Sequence, residues 1–243
     1  YDKLFEVCRG VDQVIHAAGM NSQDCLLNPI AAFKFNSETT IKFAKAAFEA
    51  GVKRFIYLST IHVYSSNLIG TFNENSFLTN FSPYAKSKIK AEEGIQKIYK
   101  NSKDRYLILR LTNVIGPPLY LNSNGVELLA YSICKKIIKK ENIFLNNPFQ
   151  LRDFISIQYL MNFFHKSLNY NFKKNILNIA SGNSLTVEEF AELCNNVSLE
   201  EYGYKVKVKY EKVFNNNESK LNIKSDLPFN NLSNDLKSEI RKI

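Results

Sequence analysis

The sequence predicts an α/β protein, a doubly wound parallel sheet with a smaller C-terminal lobe. Three observations point there. Short apolar runs rich in β-branched and aromatic residues, VDQVIHAAG (11–19) and KRFIYLST (53–60), have the continuous hydrophobicity of strands buried on both faces. Segments of helical period alternate with them, as a parallel sheet with crossover helices requires. That alternation loosens from residue 116 onward, which sets off the second lobe.

The elements follow in order. YDKLFEVCRGVD reads as a helix running into the first strand. The next helix ends in AKAAFEAGVK; Ile41, Ala44 and Phe48 share one face and Gly51 supplies the stop. After the strand at 53–60, FSPYAKSKIKAEE (81–93) opens a helix with Ser82 as cap and Pro83 at the first position. RYLILRLTNVIG (105–116) reads as a third strand and NIFLNN (142–147) as a short edge strand. IQYLMNFFHKSL is helical, NILNIAS strand-like, and TVEEFAELCNN helical, with Thr186 and Glu189 forming a capping box. YKVKVKY alternates like a half-exposed strand. The asparagine-rich stretch 215–235 reads as loop and NDLKSEIRKI as a final helix.

Composition narrows the function classes. The 243 residues are 45% hydrophobic and 23% charged, ordinary for a globular protein with a substantial core. No apolar run reaches membrane-spanning length and no signal-peptide pattern opens the sequence, so neither membrane insertion nor export is expected. Cys8, Cys25, Cys134 and Cys194 show no metal or disulfide rhythm; they read as packing residues of a cytoplasmic protein. The net charge of +9 is spread along the chain without a nucleic-acid signature, so no nucleic-acid partner is expected.

The chemistry gathers around Thr60, Tyr84 and Lys88. Thr60 ends an apolar strand, where an open α/β sheet places its ligand. Tyr84 and Lys88 have helical i, i+4 spacing and share a face. An ammonium beside a phenol lowers the phenol's pKa, which suits it to acid–base work. Asn36 lies upstream on the preceding helix. A hydroxyl, a phenol and an ammonium at one crevice can bind an alcohol or ketone and move its proton while a cofactor moves a hydride. The glycine fingerprint of a dinucleotide site is absent: none of the nine glycines forms G-x-G-x-x-G or G-x-x-G-x-x-G.

These segments, in this order, resemble the extended short-chain dehydrogenases/reductases, specifically the NAD-dependent nucleotide-sugar epimerase/dehydratase group. VDQVIHAAG is similar to the strand motif that lines the cofactor, FIYLSTIHVYSS to the strand carrying the catalytic Ser/Thr, and SPYAKSK to the family's Y-x-x-x-K. LRLTNVIGP and RDFISIQYL are similar to the family's substrate-contacting segments, and NILNIASGNSLTVEEF to its late strand and capped helix. The resemblance implies a Rossmann-like sheet. It places the cofactor-binding region at 1–115, with 151–181 returning to it, and a substrate-binding lobe at 116–150 and 182–243. It implies Thr60, Tyr84 and Lys88 as catalytic residues. Ala17, Ala18, Asn36, Ser59, Tyr84 and Lys88 would hold NAD, with NADP not excluded. Thr60, Asn113 and Arg152 would bind a nucleotide-sugar substrate, Arg152 at its diphosphate. No metal is implied.

The missing glycine loop would lie before Tyr1, so the sequence is expected to lack its N-terminal segment, roughly 60 residues at about 30 per βαβ unit. The expected reaction is epimerisation through a transient keto sugar. Tyr84 takes a hydroxyl proton, Lys88 depresses the phenol's pKa, and Thr60 hydrogen-bonds the reacting oxygen. A dehydratase of the group has an Asp–Glu pair directly after the Thr; Ile61 and His62 stand there instead, which disfavours dehydration. His62 reads as a loop histidine near the pocket, His16 as structural, and His165 carries no role. Thr39, where the family often has glycine, weakens the assignment of Asn36. The alternatives are an NAD(P)H-dependent ketone reductase of the same family, a non-catalytic dinucleotide-binding protein, or an inactive fragment. A homodimer is expected by analogy.

Overall fold

Strands of nearly unbroken apolar sequence find a place only where both faces are covered, and the computed structural model covers them. It describes residues 2–118, 128–168, 170–210, 220–229 and 232–243. Helix α1 (Asp2–Cys8) leads into β1 (Gln13–His16). Short helices α2 (Ser22–Leu27) and α3 (Pro29–Ala32) follow. A π-helical stretch, Phe33–Thr39, then continues into α4 (Thr40–Glu49). Next come β2 (Arg54–Thr60), β3 (Gly70–Phe72) and α5 (Pro83–Ile98). The chain continues through β4 (Tyr106–Leu111), β5 (Asn113–Ile115), α6 (Leu129–Ile138), β6 (Ile143–Phe144) and β7 (Leu151–Ser156). It closes with α7 (Ile157–Ser167), β8 (Ile176–Ile179), β9 (Ser184–Thr186), α8 (Val187–Tyr202), β10 (Val208–Lys209), β11 (Leu221–Ile223) and α9 (Leu236–Lys242).

The main sheet has the order β1-β2-β4-β8, with every pairing parallel. On one face, Ala44 and Ala47 of α4 and Ala91 and Ile95 of α5 pack on Phe55, Tyr57 and Ile108. On the other, Tyr159, Leu160 and Phe163 of α7 pack on Ile56, Leu107 and Leu109. A second sheet, β5-β7-β9, adjoins a separate core in which Phe154 stacks on Phe190 of α8 at 4.2 Å. The small parallel pairs β3–β11 and β6–β10 complete the fold.

Helix ends form as their sequences dictate. The Ser82 hydroxyl accepts from the Ala85 N–H with Pro83 behind it, which fixes where α5 begins. Thr186 and Glu189 make the reciprocal capping box of α8, and Gly203 (φ 73°) closes that helix in the left-handed region.

The stretch 105–116 is not one strand. It breaks at Thr112, whose N–H and hydroxyl both donate to the Ile179 carbonyl, at 3.1 and 3.2 Å. β4 therefore stays in the main sheet while β5 pairs with β7. An apolar run looks alike in either sheet, so periodicity does not register the break. The lysine-rich 204–210 stretch contributes only the two-residue β10. The supposed loop 215–235 contains β11; residues 215–219 and 230–231 of it lie outside the described residues. Among the described residues, no helix is long and apolar enough to cross a membrane.

Helices α4 and α5 meet at Gly94, where an added Cβ would lie 2.4 Å from the Ile41 Cγ1. Helix propensity alone favours Ala over Gly by about 1 kcal/mol, whereas overpacking costs about 1–3 kcal/mol. Gly94→Ala is expected to lower stability, measured as a lower urea midpoint; a raised midpoint would mean that Ile41 moves aside freely.

Candidate active site

The site begins where β1 and β2 end. Thr60 is the last residue of β2, in extended backbone, and its Oγ accepts from the His62 N–H at 3.2 Å. The first turns of α5 bring Tyr84 to the same crevice as Thr60, whose hydroxyl lowers the phenol's proton affinity. One turn on, Lys88 is buried, and its Nζ donates to the Leu58 carbonyl at 3.0 Å. The same ammonium lies 5.0 Å from the Tyr57 ring centre and 5.9 Å from that of Tyr84. Together with Ala17, Gly19 and Thr112, these residues line a crevice of about 290 Å³. Gly19 sits tightly there: a Cβ would come within 3.3 Å of both the Lys88 Nζ and the Asn36 Oδ1.

The electrostatics differ from the sequence expectation. Burial pushes the Tyr84 phenol up to about 12, with the Thr60 hydroxyl pulling it part of the way back. Burial brings Lys88 down to about 8, opposed by the charge of Glu92. Lys88 is not what sets the phenol's proton affinity here. Its ammonium is turned to the Leu58 carbonyl and the Tyr57 ring, so desolvation governs Tyr84.

The remaining candidates fall into distinct roles. Asn36 is buried and fully engaged. Its Oδ1 accepts from the Met20 N–H at 2.7 Å, and its Nδ2 donates to the Met20 carbonyl at 3.2 Å and to the Ser87 hydroxyl at 3.1 Å. It ties the turn after β1 to α5. Ser59 borders the crevice, but its hydroxyl donates inward to Glu92. Ala18 is exposed beside the crevice without lining it.

Asn113 and Arg152 line a neighbouring pocket of about 350 Å³ with His62. Arg152 donates to the Gln150 Oε1 at 3.0 Å and to the Asn113 Oδ1 at 3.4 Å, while Asn113 donates to the Asp153 carbonyl at 2.9 Å. The buried Arg152 Nε has no partner among the described residues, and no carboxylate pairs with the guanidinium. Asp153 lies next to it in sequence, but its oxygens accept from the Ser181 and Gly182 N–H groups and the Ser181 hydroxyl. His62 is held down to about 4 by burial and by the positive charge of Arg152, so its imidazole is neutral near pH 7.

Behind the crevice lies a network that sequence reasoning missed. Glu92 and Arg110 form an ion pair at 2.7 Å with both side chains nearly inaccessible. Arg110 also donates to the Tyr64 hydroxyl at 3.1 Å, which donates to Asn178 at 2.6 Å. The available signal was the Lys88/Glu92 spacing, one helical turn. His16 is structural: its Nε2 meets the Thr40 hydroxyl at 2.9 Å amid Phe43, Phe55 and Tyr57, and burial lowers it to about 4. Among the described residues, no group of His, Cys, Asp and Glu can hold a metal.

A parallel sheet with a Thr–Tyr–Lys crevice at the carboxyl ends of its strands defines an α/β protein of the dinucleotide-dependent kind. The chain belongs to the NAD dependent epimerase/dehydratase family, which matches residues 1–180. It is 40% identical over 120 residues to the dTDP-D-glucose 4,6-dehydratase of Mus musculus; the match covers 48% of this chain and 33% of that protein. It is 32% identical over 150 residues to the UDP-glucose 4-epimerase of Vibrio cholerae, covering 55% of this chain and 44% of that one. The matches thus span between a third and a half of these relatives. Among solved structures, the UDP-glucose 4-epimerase of Thermotoga maritima shares the fold, with a TM-score of 0.83 at 17% identity over 99% of this chain and 79% of that one.

Removing Glu92 would strand the buried Arg110 charge, at about 3–5 kcal/mol for a broken buried pair. Glu92→Ala is expected to lose that much in denaturant unfolding, and Glu92→Leu/Arg110→Met to recover most of it. Equal losses in the two variants would show that the network, not the charge pair, holds α5.

Proposed function

We propose that this protein is an NAD-dependent nucleotide-sugar 4-epimerase-type enzyme working through a transient keto sugar. The observation that carries the reading is the pairing of two sites. A Thr60–Tyr84–Lys88 crevice suits proton transfer, and beside it lies a pocket whose Arg152 has no carboxylate partner among the described residues. A half-buried guanidinium without a counter-charge favours an anion such as a diphosphate, which it can bind through charge-assisted hydrogen bonds.

The crevice fits the nicotinamide-ribose end of a dinucleotide. The turn after β1 approaches Lys88 closely: a Cβ at residue 19 would lie 3.3 Å from its Nζ. The Lys88 ammonium is available to a ribose hydroxyl by exchange from the Leu58 carbonyl. NAD, when bound, supplies a hydride acceptor and returns the hydride. Thr60 orients the reacting sugar oxygen. Tyr84 takes the hydroxyl proton as oxidation proceeds and gives it back on reduction. With its phenol raised by burial, Tyr84 needs Lys88 to turn toward it in the loaded site.

Epimerisation is favoured over dehydration because elimination of water needs an acid and a base beyond Tyr84. Among the described residues lining the crevice and the pocket, the one carboxylate is Asp153, and its oxygens are taken up by Ser181 and Gly182.

The test uses the full-length protein with a panel of UDP- and dTDP-sugars. Tyr84→Phe is expected to lower kcat by about 10²–10⁴-fold with substrate still bound, the range for general acid–base catalysis. Arg152→Ala is expected to raise KM about 10–100-fold, the equivalent of a hydrogen bond to a charged group. Unchanged turnover in the first variant would remove Tyr84 from the chemistry. An unchanged KM in the second would point to a substrate without a diphosphate, and so to a ketone reductase.

A further inference from the structure

Cys134 on α6 and Cys194 on α8 lie 60 residues apart in sequence, with their sulfurs 4.0 Å from each other. Both side chains are buried, at 5% and 1% exposure, in the core shared by Ile133, Ile137, Phe190 and Val197. The Cys25 thiol, by contrast, faces the Met20 carbonyl and the Asn36 amide. No carboxylate or imidazole joins the pair among the described residues, which leaves sulfur–sulfur chemistry.

We propose that Cys134 and Cys194 are an oxidative modification site, forming a disulfide that staples α6 to α8 when a peroxide is the electron acceptor. A disulfide needs its sulfurs about 2.0 Å apart, so closing the present gap takes a side-chain adjustment of about 2 Å between helices already in contact. The Cys134 S–H donates to the Cys194 sulfur. Cys134, at 5% exposure against 1%, is the sulfur a peroxide reaches first and so the attacking one.

The steps balance. The Cys134 thiolate attacks one peroxide oxygen; an S–O bond forms, the O–O bond breaks, and the departing hydroxide takes a proton and leaves as water. Cys194 then attacks the sulfenic sulfur. The S–S bond forms, the S–O bond breaks, and the second hydroxide leaves as water with the Cys194 proton. The two thiols lose two electrons and hydrogen peroxide is reduced to two waters.

The staple would act beside the Arg152 pocket. Cys194 lies one helical turn beyond Phe190, which stacks on Phe154, two residues from Arg152. The reduced, folded protein is treated with hydrogen peroxide, alkylated, digested without reductant and analysed by mass spectrometry. The expected result is a peptide pair linked through Cys134 and Cys194, with Cys8 and Cys25 still alkylated. The thermal midpoint should rise on the order of 5 °C and fall back with dithiothreitol. Either Cys134→Ala or Cys194→Ala should abolish both the link and the shift. A sulfinic acid at Cys134 with no link, links scrambled onto Cys8 or Cys25, or a link that forms only in urea would overturn the proposal.

Discussion

The active crevice depends on one buried ion pair. Tyr84 and Lys88 belong to α5, while Thr60 belongs to β2; nothing local in the sequence fixes their separation. Glu92 does so from one turn beyond Lys88, by taking both the Arg110 guanidinium of β4 and the Ser59 hydroxyl of β2. Burying two charges costs several kcal/mol each before their attraction is counted. The cost is met because the remaining donors and acceptors are satisfied: Arg110 by Tyr64 and the Glu74 carbonyl, and Tyr64 by Asn178 of β8. The network thus crosses the main sheet behind the crevice and sets the height of α5 above it. Tyr84 lies eight residues before Glu92, about 12 Å along the helix.

The same burial that makes the ion pair rigid shapes the chemistry in front of it. Desolvation acts in opposite directions on the two crevice groups, raising the phenol and lowering the ammonium. Each is pushed toward its neutral form. Glu92 resists this for Lys88, because its charge favours the ammonium. The carboxylate that holds the helix therefore also helps keep the lysine cationic. Tyr84 has only the Thr60 hydroxyl in its favour. A ligand that draws Lys88 away from the Leu58 carbonyl and toward the phenol would change that balance. In this geometry the crevice is an acid–base pair at rest.

What was legible in the sequence was what is local. Ser82, Pro83, Tyr84 and Lys88 lie within seven residues, and capping and helical spacing alone fix their relation. Thr60 was found because a buried strand's carboxyl end is a physically distinct place. The Thr186/Glu189 box was read for the same reason. What was not legible depends on contacts far apart in sequence. Arg110 looks like one polar residue in an apolar strand until Glu92 is placed beside it. The break at Thr112 exists only because β8 offers the Ile179 carbonyl. Asn36 is expected from the sequence to hold the cofactor, and in the structure its amide is engaged by Met20 and Ser87 in building the turn. Spacing identifies that such a residue is special; it does not distinguish a ligand contact from a brace.

The break at Thr112 explains how one chain maintains two unlike pockets side by side. β4 ends in the main sheet at Leu111, and β5 begins in the second sheet at Asn113. Thr112 therefore lines the crevice while Asn113 lines the pocket of Arg152. A similar step occurs between Thr60, at the crevice, and His62, in the pocket, joined by the hydrogen bond from the His62 N–H to the Thr60 Oγ. The two pockets share covalent neighbours, yet the crevice borders the main sheet while the Arg152 pocket takes Ile61, Leu151 and Leu221 from a separate apolar cluster. The pocket side carries the positive charge of Arg152 and a neutral His62, with no free carboxylate among its described lining residues. The crevice side carries the Tyr84 phenol and the Lys88 ammonium. An anion held at Arg152 would thus be anchored outside the desolvated crevice, leaving Tyr84 to act on the uncharged part of the same molecule. A single sheet with one continuous third strand would merge these environments. The kink that separates them keeps the Arg152 pocket apart from the crevice of Tyr84 and Lys88.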